Sequence, residues 1–109
     1  MFSFTLEQLV DEVHKLAKEN PDNNYNNGYQ KAQCFYNKGE CSNGTIGCLF
    51  GQAMKRLGVS DEQLNSFGEK CIRDILRENH VEHNEKLFSW CEDVQTSQDA
   101  GIPWGKCVE

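Results

Sequence analysis

The sequence predicts a mainly α protein: one domain spanning residues 1–109, a small bundle of four or five helices with a short β-hairpin near residues 34–43. Three observations lead there. Apolar residues recur at helical spacing in two long stretches, helix start and stop signals divide the rest, and the single segment of strand-and-turn character is brief. At 12.5 kDa the chain suits one small core.

The first helix is announced by Thr5 and Gln8, a capping box, with Phe4 and Leu9 set as a hydrophobic staple. Leu6, Leu9, Val10, Val13, Leu16 and Ala17 form its apolar face, and Asn20-Pro21 stops it after Glu19, because proline pushes the preceding residue out of the helical region. Next comes PDNNYNNGYQKAQ, rich in asparagine and without an apolar period. It reads as a long loop in which Tyr25 and Tyr29 are amphipathic anchors. In CFYNKGECS, Cys34 to Tyr36 reads as a strand and Asn37-Lys38-Gly39 as its turn.

Ile46, Leu49, Phe50, Ala53, Met54 and Leu57 then predict a strongly amphipathic helix over 45–57, closed by Gly58. Gly47 and Gly51 lie four apart on it, which implies close approach of another element, helix one being the expected neighbour, or of a ligand. Ser60 and Gln63 cap a short helix ending at Gly68, and Cys71, Ile72, Ile75 and Leu76 mark another, to Asn79. The connection HVEHNEK carries His80 and His83, read as solvated. A last helix starts near Asn84, turns Leu87, Phe88, Cys91 and Val94 inward, and ends at Gly101 before Pro103.

Composition narrows the function. A net charge of −6 and a pI near 5.0 disfavour direct nucleic-acid binding, which rests on lysine and arginine displacing counterions from phosphates. The carboxylates are interspersed with lysines, which argues against mimicry of a nucleic-acid backbone. No apolar run is long enough to span a bilayer, and the start MFSFTLEQLVDEVHKLAKEN lacks the pattern of a secretory signal, so the expectation is a cytoplasmic protein without a membrane role. In a reducing compartment the six cysteines act mostly as small apolar side chains. Cys34, Cys41 and Cys48 are evenly spaced and would be the ligands of a structural zinc site if one existed, although no CxxC pair supports it. No cofactor motif is present. No phosphate-binding glycine loop, HExxH or GxSxG occurs either, and Cys48 with His14 or His80 is the sole nucleophile–base combination to weigh, against the usual inertness of a thiol in an apolar stripe. The expectation is therefore not an enzyme.

The segment VQTSQDAGIPWGKCV, residues 94–108, stands out. Gln95, Gln98 and Asp99 share one face of the last helix beside its apolar stripe, and Trp104 follows in the turn. Buried, these groups need hydrogen-bond partners. They can lock the terminal segment onto the central helix, or, with Tyr36, form a binding site for a planar polar ligand or a partner's side chain.

CFYNKGEC, GCLFGQAMKRLGV and VQTSQDAGIPWGKCV together resemble a family of small bacteriophage proteins, especially those of actinobacterial phages, over about two thirds of the chain. The likeness includes Tyr25, Cys34, Tyr36, Cys48, Gly51, Ala53, Leu57 and Gly58, then Val94, Gln95, Gln98, Asp99, Gly101, Trp104 and Gly105. It departs at Gly47, at Met54, in a longer turn over 43–45, and at Cys41, Cys71, Cys91 and Cys107, which the family pattern lacks. The resemblance implies a phage or prophage protein in the host bacterial cytosol. It also implies a counter-defence factor that inhibits a host protein by binding it. A pocket sequestering a small nucleotide signal is the alternative expectation, with Tyr36, Gln95, Gln98, Asp99 and Trp104 as the contacts, and a zinc-binding or structural accessory role is the third. A dimer is compatible with all of them.

Overall fold

The computed structural model describes residues 2–26, 36–37, 39–68, 70–82 and 84–109, the side chain of residue 26 excepted. Among these residues the chain is mainly helical, with α1 Leu6–Glu19, α2 Leu49–Arg56, α3 Asp61–Ser66, α4 Ile72–Glu78, α5 Glu85–Asp99 and α6 Trp104–Cys107. Two short strands, β1 Tyr25–Asn26 and β2 Glu40–Cys41, pair antiparallel with Tyr25 opposite Cys41. No helix among the described residues is long and apolar enough to cross a membrane.

The predicted start of α1 holds in detail. Thr5 Oγ1 accepts from Gln8 N at 3.1 Å while Gln8 Oε1 accepts from Thr5 N at 2.7 Å, so two otherwise unpaired donors satisfy each other's residues. Leu6, Leu9, Val13, Leu16 and Ala17 are buried against α2, α5 and α6. Leu49, Phe50, Ala53 and Met54 of α2 meet them, and Ile72, Ile75 and Leu76 of α4 close the core with Phe88, Cys91 and Val94 of α5. α4 and α5 are also clasped at the surface by Arg73, whose guanidinium donates to Glu92 at 2.6 Å and to Glu85 at 2.8 and 3.0 Å.

Four expectations are corrected. α2 begins at Leu49 rather than near Thr45, because Gly47 takes a left-handed φ of 97° and Cys48 is extended, and neither conformation propagates a helix. Ile46 therefore leaves the apolar stripe: it bridges to Glu40 and is 53% exposed. The hairpin is built differently too. Tyr36 lies in a turn, Cys34 and Tyr29 fall outside the described residues, and Glu40–Cys41 pairs with Tyr25–Asn26, inside the segment expected to be unstructured.

The third correction concerns Gly47 and Gly51, which accommodate the backbone of Tyr36 rather than α1. A Cβ on Gly47 would stand 2.6 Å from the Tyr36 carbonyl oxygen, and one on Gly51 would overlap that oxygen outright. Finally, α5 ends at Asp99 and a further helix, α6, forms beyond it, giving six among the described residues. Pro103 starts α6, its carbonyl accepting from Lys106 N and Cys107 N, and Gly105 lets the helix lie against Pro21.

His80 is the one non-glycine residue with positive φ among the described residues, at 60°. It occupies the position after the C-cap of α4, with His80 N donating to Arg77 O and Val81 N to Leu76 O. This is the Schellman arrangement that Gly58 and Gly101 serve after α2 and α5, so the strained backbone at His80 has a structural cause. His83 lies outside the described residues.

Candidate functional site

Helices α2 and α4 share a defect: each has a cysteine at its N-cap, Cys48 and Cys71, and neither side chain caps the helix. The first amides of these helices are buried donors in need of an acceptor. α5 supplies both. Gln98 Oε1 accepts from Leu49 N at 2.8 Å and Gln95 Oε1 accepts from Ile72 N at 3.0 Å. Residues three apart on α5 thus cap two other helices from outside.

The opposite ends of the two amides are also engaged. Gln95 Nε2 donates to the Tyr36 hydroxyl at 2.9 Å, and that hydroxyl donates to Lys70 O at 2.6 Å. Gln98 Nε2 donates to Asp99 Oδ1 at 2.5 Å. Tyr36 and Gln95 form one hydrogen-bonded pair and Gln98 and Asp99 another, the two following each other along α5 as a seam. Trp104 makes no hydrogen bond to them: its indole is fully buried, and its Nε1 has no hydrogen-bond partner among the described residues. Gln95 and Gln98 are buried as well, so four of the five side chains lie inside the fold, and Asp99 is half-buried.

Burial sets the protonation of this region. Asp99 is pushed up to about 6 by desolvation, partly offset by the Gln98 hydrogen bond. The Tyr36 hydroxyl is raised far above its usual value, chiefly by burial. The Cys107 thiol is pushed up to about 11 and the Cys91 thiol to about 12, again by burial first and by neighbouring carboxylates second. Cys41 and Cys71 are raised for the same leading reason. These free thiols are therefore protonated near neutral pH and are poor nucleophiles.

Of the cysteines considered as zinc ligands, Cys34 is outside the described residues, Cys48 is buried and disulfide-bonded, which corrects the expectation of a free apolar thiol there, and Cys41 is a free buried thiol donating to Gly47 O at 3.3 Å. Among the described residues no group of three or more histidine, cysteine or acidic side chains is placed to hold a metal. As a disulfide, Cys48 has no thiolate; of the histidines weighed with it, His14 stacks on Trp90 with ring centroids 4.9 Å apart, and His80 is exposed at the end of α4.

A second polar cluster, which the sequence reading missed, lies at the turn over 42–47. Asn23 Oδ1 accepts from Asn43 N at 2.9 Å and from Ser42 Oγ at 3.0 Å. Asn43 Oδ1 accepts from Thr45 N at 3.0 Å and from Thr45 Oγ1 at 2.6 Å, and Gln52 Nε2 of α2 donates to Thr45 Oγ1 at 2.8 Å and to Gly47 O at 3.0 Å. Ile46 projects from this fixed turn into solvent. Beside it lies a cleft of about 500 Å³ lined by Gly44, Thr45, Ile46, Gln52, Lys55 and Arg56. A second, of about 290 Å³, opens between Asn20–Asn23 and Ser42–Asn43. The signal was available: glycine at 44 and 47 brackets Ile46, which is poor helix chemistry and good turn chemistry.

No family model, curated protein or solved structure matches this chain.

Proposed function

We propose that this protein works by binding rather than by catalysis, as a phage- or prophage-encoded factor that engages and inhibits a host protein in the bacterial cytosol, and that Ile46 and its turn form the contact face. The observation that carries this reading is an aliphatic side chain 53% exposed on a turn fixed by side-chain hydrogen bonds from two directions. An apolar group on a preorganised support loses little freedom on association, which is how a small contact contributes disproportionately to affinity. The phage resemblance supports the host-interaction part of the reading.

The seam of Tyr36, Gln95, Gln98, Asp99 and Trp104 fits this reading as scaffold. For these groups to hold a nucleotide, both glutamine amides would have to leave the helix ends they cap, and Asp99 would stand against a phosphate. The test is affinity capture from the host with the wild type and Ile46→Glu, alongside native mass spectrometry of the purified chain. The expected result is a stoichiometric protein partner held by the wild type and lost in Ile46→Glu. A partner retained undiminished by Ile46→Glu overturns the contact face. A small-molecule adduct lost on Gln98→Ala overturns inhibition by protein binding in favour of a pocket.

A further inference from the structure

The Ile46 turn is connected to the far end of the chain through the segment 20–24, where Asn20 and Asn24 also bond residues 42–43 and Asn23 is the buried link. Trp104 N of α6 donates to Asn23 O at 2.8 Å, and Gly105 N donates to Pro21 O at 3.0 Å. The same Asn23, only 4% exposed, accepts with its side-chain oxygen from Ser42 Oγ and Asn43 N. Asn43 in turn holds Thr45, the residue before Ile46, by two hydrogen bonds. Backbone on one side and amide oxygen on the other, Asn23 lies between α6 and the turn. A buried polar residue that joins two elements in this way restricts both, because shifting either leaves a buried group unpaired.

We infer that Asn23 is a positioning residue through which α6 sets the conformation of the Ile46 turn. The binding consequence rests on the reading of Ile46 as the contact; the conformational coupling does not. α2 reaches the turn independently through Gln52, which donates to Thr45 Oγ1 and Gly47 O, so the coupling through Asn23 governs Asn43 and the Thr45 amide it holds, while the Thr45 hydroxyl and Gly47 stay tied to α2. Asn23 contributes chiefly as an acceptor: its Nδ2 faces the Cys41 sulfur, as its lowering influence on that thiol shows, but completes no well-formed hydrogen bond among the described residues. An acceptor of the same shape should therefore replace it.

The variant that tests this without touching the turn is Gly105→Ala. A Cβ there would stand 2.9 Å from Pro21 Cβ and 3.0 Å from Pro21 O, which pushes α6 away from the segment carrying Asn23. Amide hydrogen exchange and the Ile46 methyl resonances are followed in the wild type, Gly105→Ala, Asn23→Ala and Asn23→Asp. The Ile75 amide, bonded to Cys71 O within the α4 region, is the reference for global opening. In Gly105→Ala and Asn23→Ala the Thr45 amide should exchange roughly tenfold faster relative to Ile75, and the Ile46 methyls should shift. Asn23→Asp, which keeps the oxygen acceptor, should restore the wild-type pattern at acid pH, where its buried carboxyl is neutral, and lose it as the pH rises and the buried charge forms. If Asn23→Ala does not fold, Gly105→Ala alone decides. Faster exchange confined to Trp104 and Gly105, with Thr45 and Ile46 unchanged, overturns the coupling. Exchange that rises at Thr45 while partner capture stays at the wild-type level leaves the coupling standing and overturns Ile46 as the contact.

Discussion

The seam on α5 and the turn over 42–47 are built from the same chemistry, side-chain amides hydrogen-bonded to backbone and to neighbouring side chains, and they do opposite things with it. On α5 the amides of Gln95 and Gln98 point inward and replace the caps that Cys48 and Cys71 cannot provide. In the turn, Asn23, Asn43 and Gln52 tie backbone and hydroxyl groups together and leave an aliphatic side chain outside. Amide-rich sequence therefore does not by itself mark a binding site. What distinguishes the two regions is where the apolar group goes: Trp104 is sealed within, whereas Ile46 is presented.

The sharpest way to break the seam is at its tightest contact. In Gly51→Ala the new methyl overlaps the Tyr36 carbonyl, which backbone cannot easily vacate because the Tyr36 hydroxyl is held by Gln95 and Lys70 O. We expect a loss of at least about 3 kcal/mol, at the upper end of overpacking costs, seen in urea unfolding as a largely unfolded variant. Gln98→Leu should cost less, about 2–3 kcal/mol, since the shape is nearly kept while the buried Leu49 amide loses its acceptor. An equal stability for Gln98→Leu and the wild type would show that the outside cap contributes nothing.

Asp99 sharpens the comparison further, because it is the one titrating group in the seam close to physiological pH. Its folded value of about 6 lies above the ordinary 3.8, so the folded state binds the proton more tightly than the unfolded chain. The associated stability is fully present below pH 3.8 and is lost as pH rises through about 6. Asp99→Asn keeps an oxygen to accept from Gln98 Nε2 and removes the charge. It should match the wild type at low pH and become more stable above pH 6, by about 1–2 kcal/mol once the 1.36 kcal/mol per unit is discounted for solvent screening of a half-buried carboxylate. Thermal melts of both chains across that range test it. A gap that opens in the acid direction would reverse the sign and place the carboxylate in a stabilising contact.

Much of the helical frame could be read from residue order, because capping is local: Thr5 with Gln8, Ser60 before Asp61, and Asn84 accepting from Leu87 N each act within one turn. What could not be read was non-local. That Gln95 and Gln98 would serve α4 and α2 depends on which helix ends the packing brings to α5, although cysteine at both N-cap positions was a sign that caps had to come from elsewhere. The glycines at 47 and 51 signal close approach in the sequence, but their neighbour, the backbone of Tyr36, is not legible there, since a turn has no periodic signature. α6 has four residues, too few for an apolar period to register. The inward direction of Gln95 and Gln98 is set by the helix ends waiting for them.

The smallest expected effect decides the turn. Ile46 fits the i, i+3, i+4 spacing of the α2 stripe, and a core isoleucine changed to glutamate would be severely destabilising, as an unpaired charge would be buried. On the exposed turn the same change meets water. Ile46→Glu should therefore unfold within about 0.5 kcal/mol of the wild type, with unchanged urea dependence. A loss of several kcal/mol would put Ile46 back in the core and, with it, withdraw the contact face. A neutral result gives a folded protein altered only at the presented side chain, which is the condition under which loss of a partner can be ascribed to the turn rather than to the scaffold.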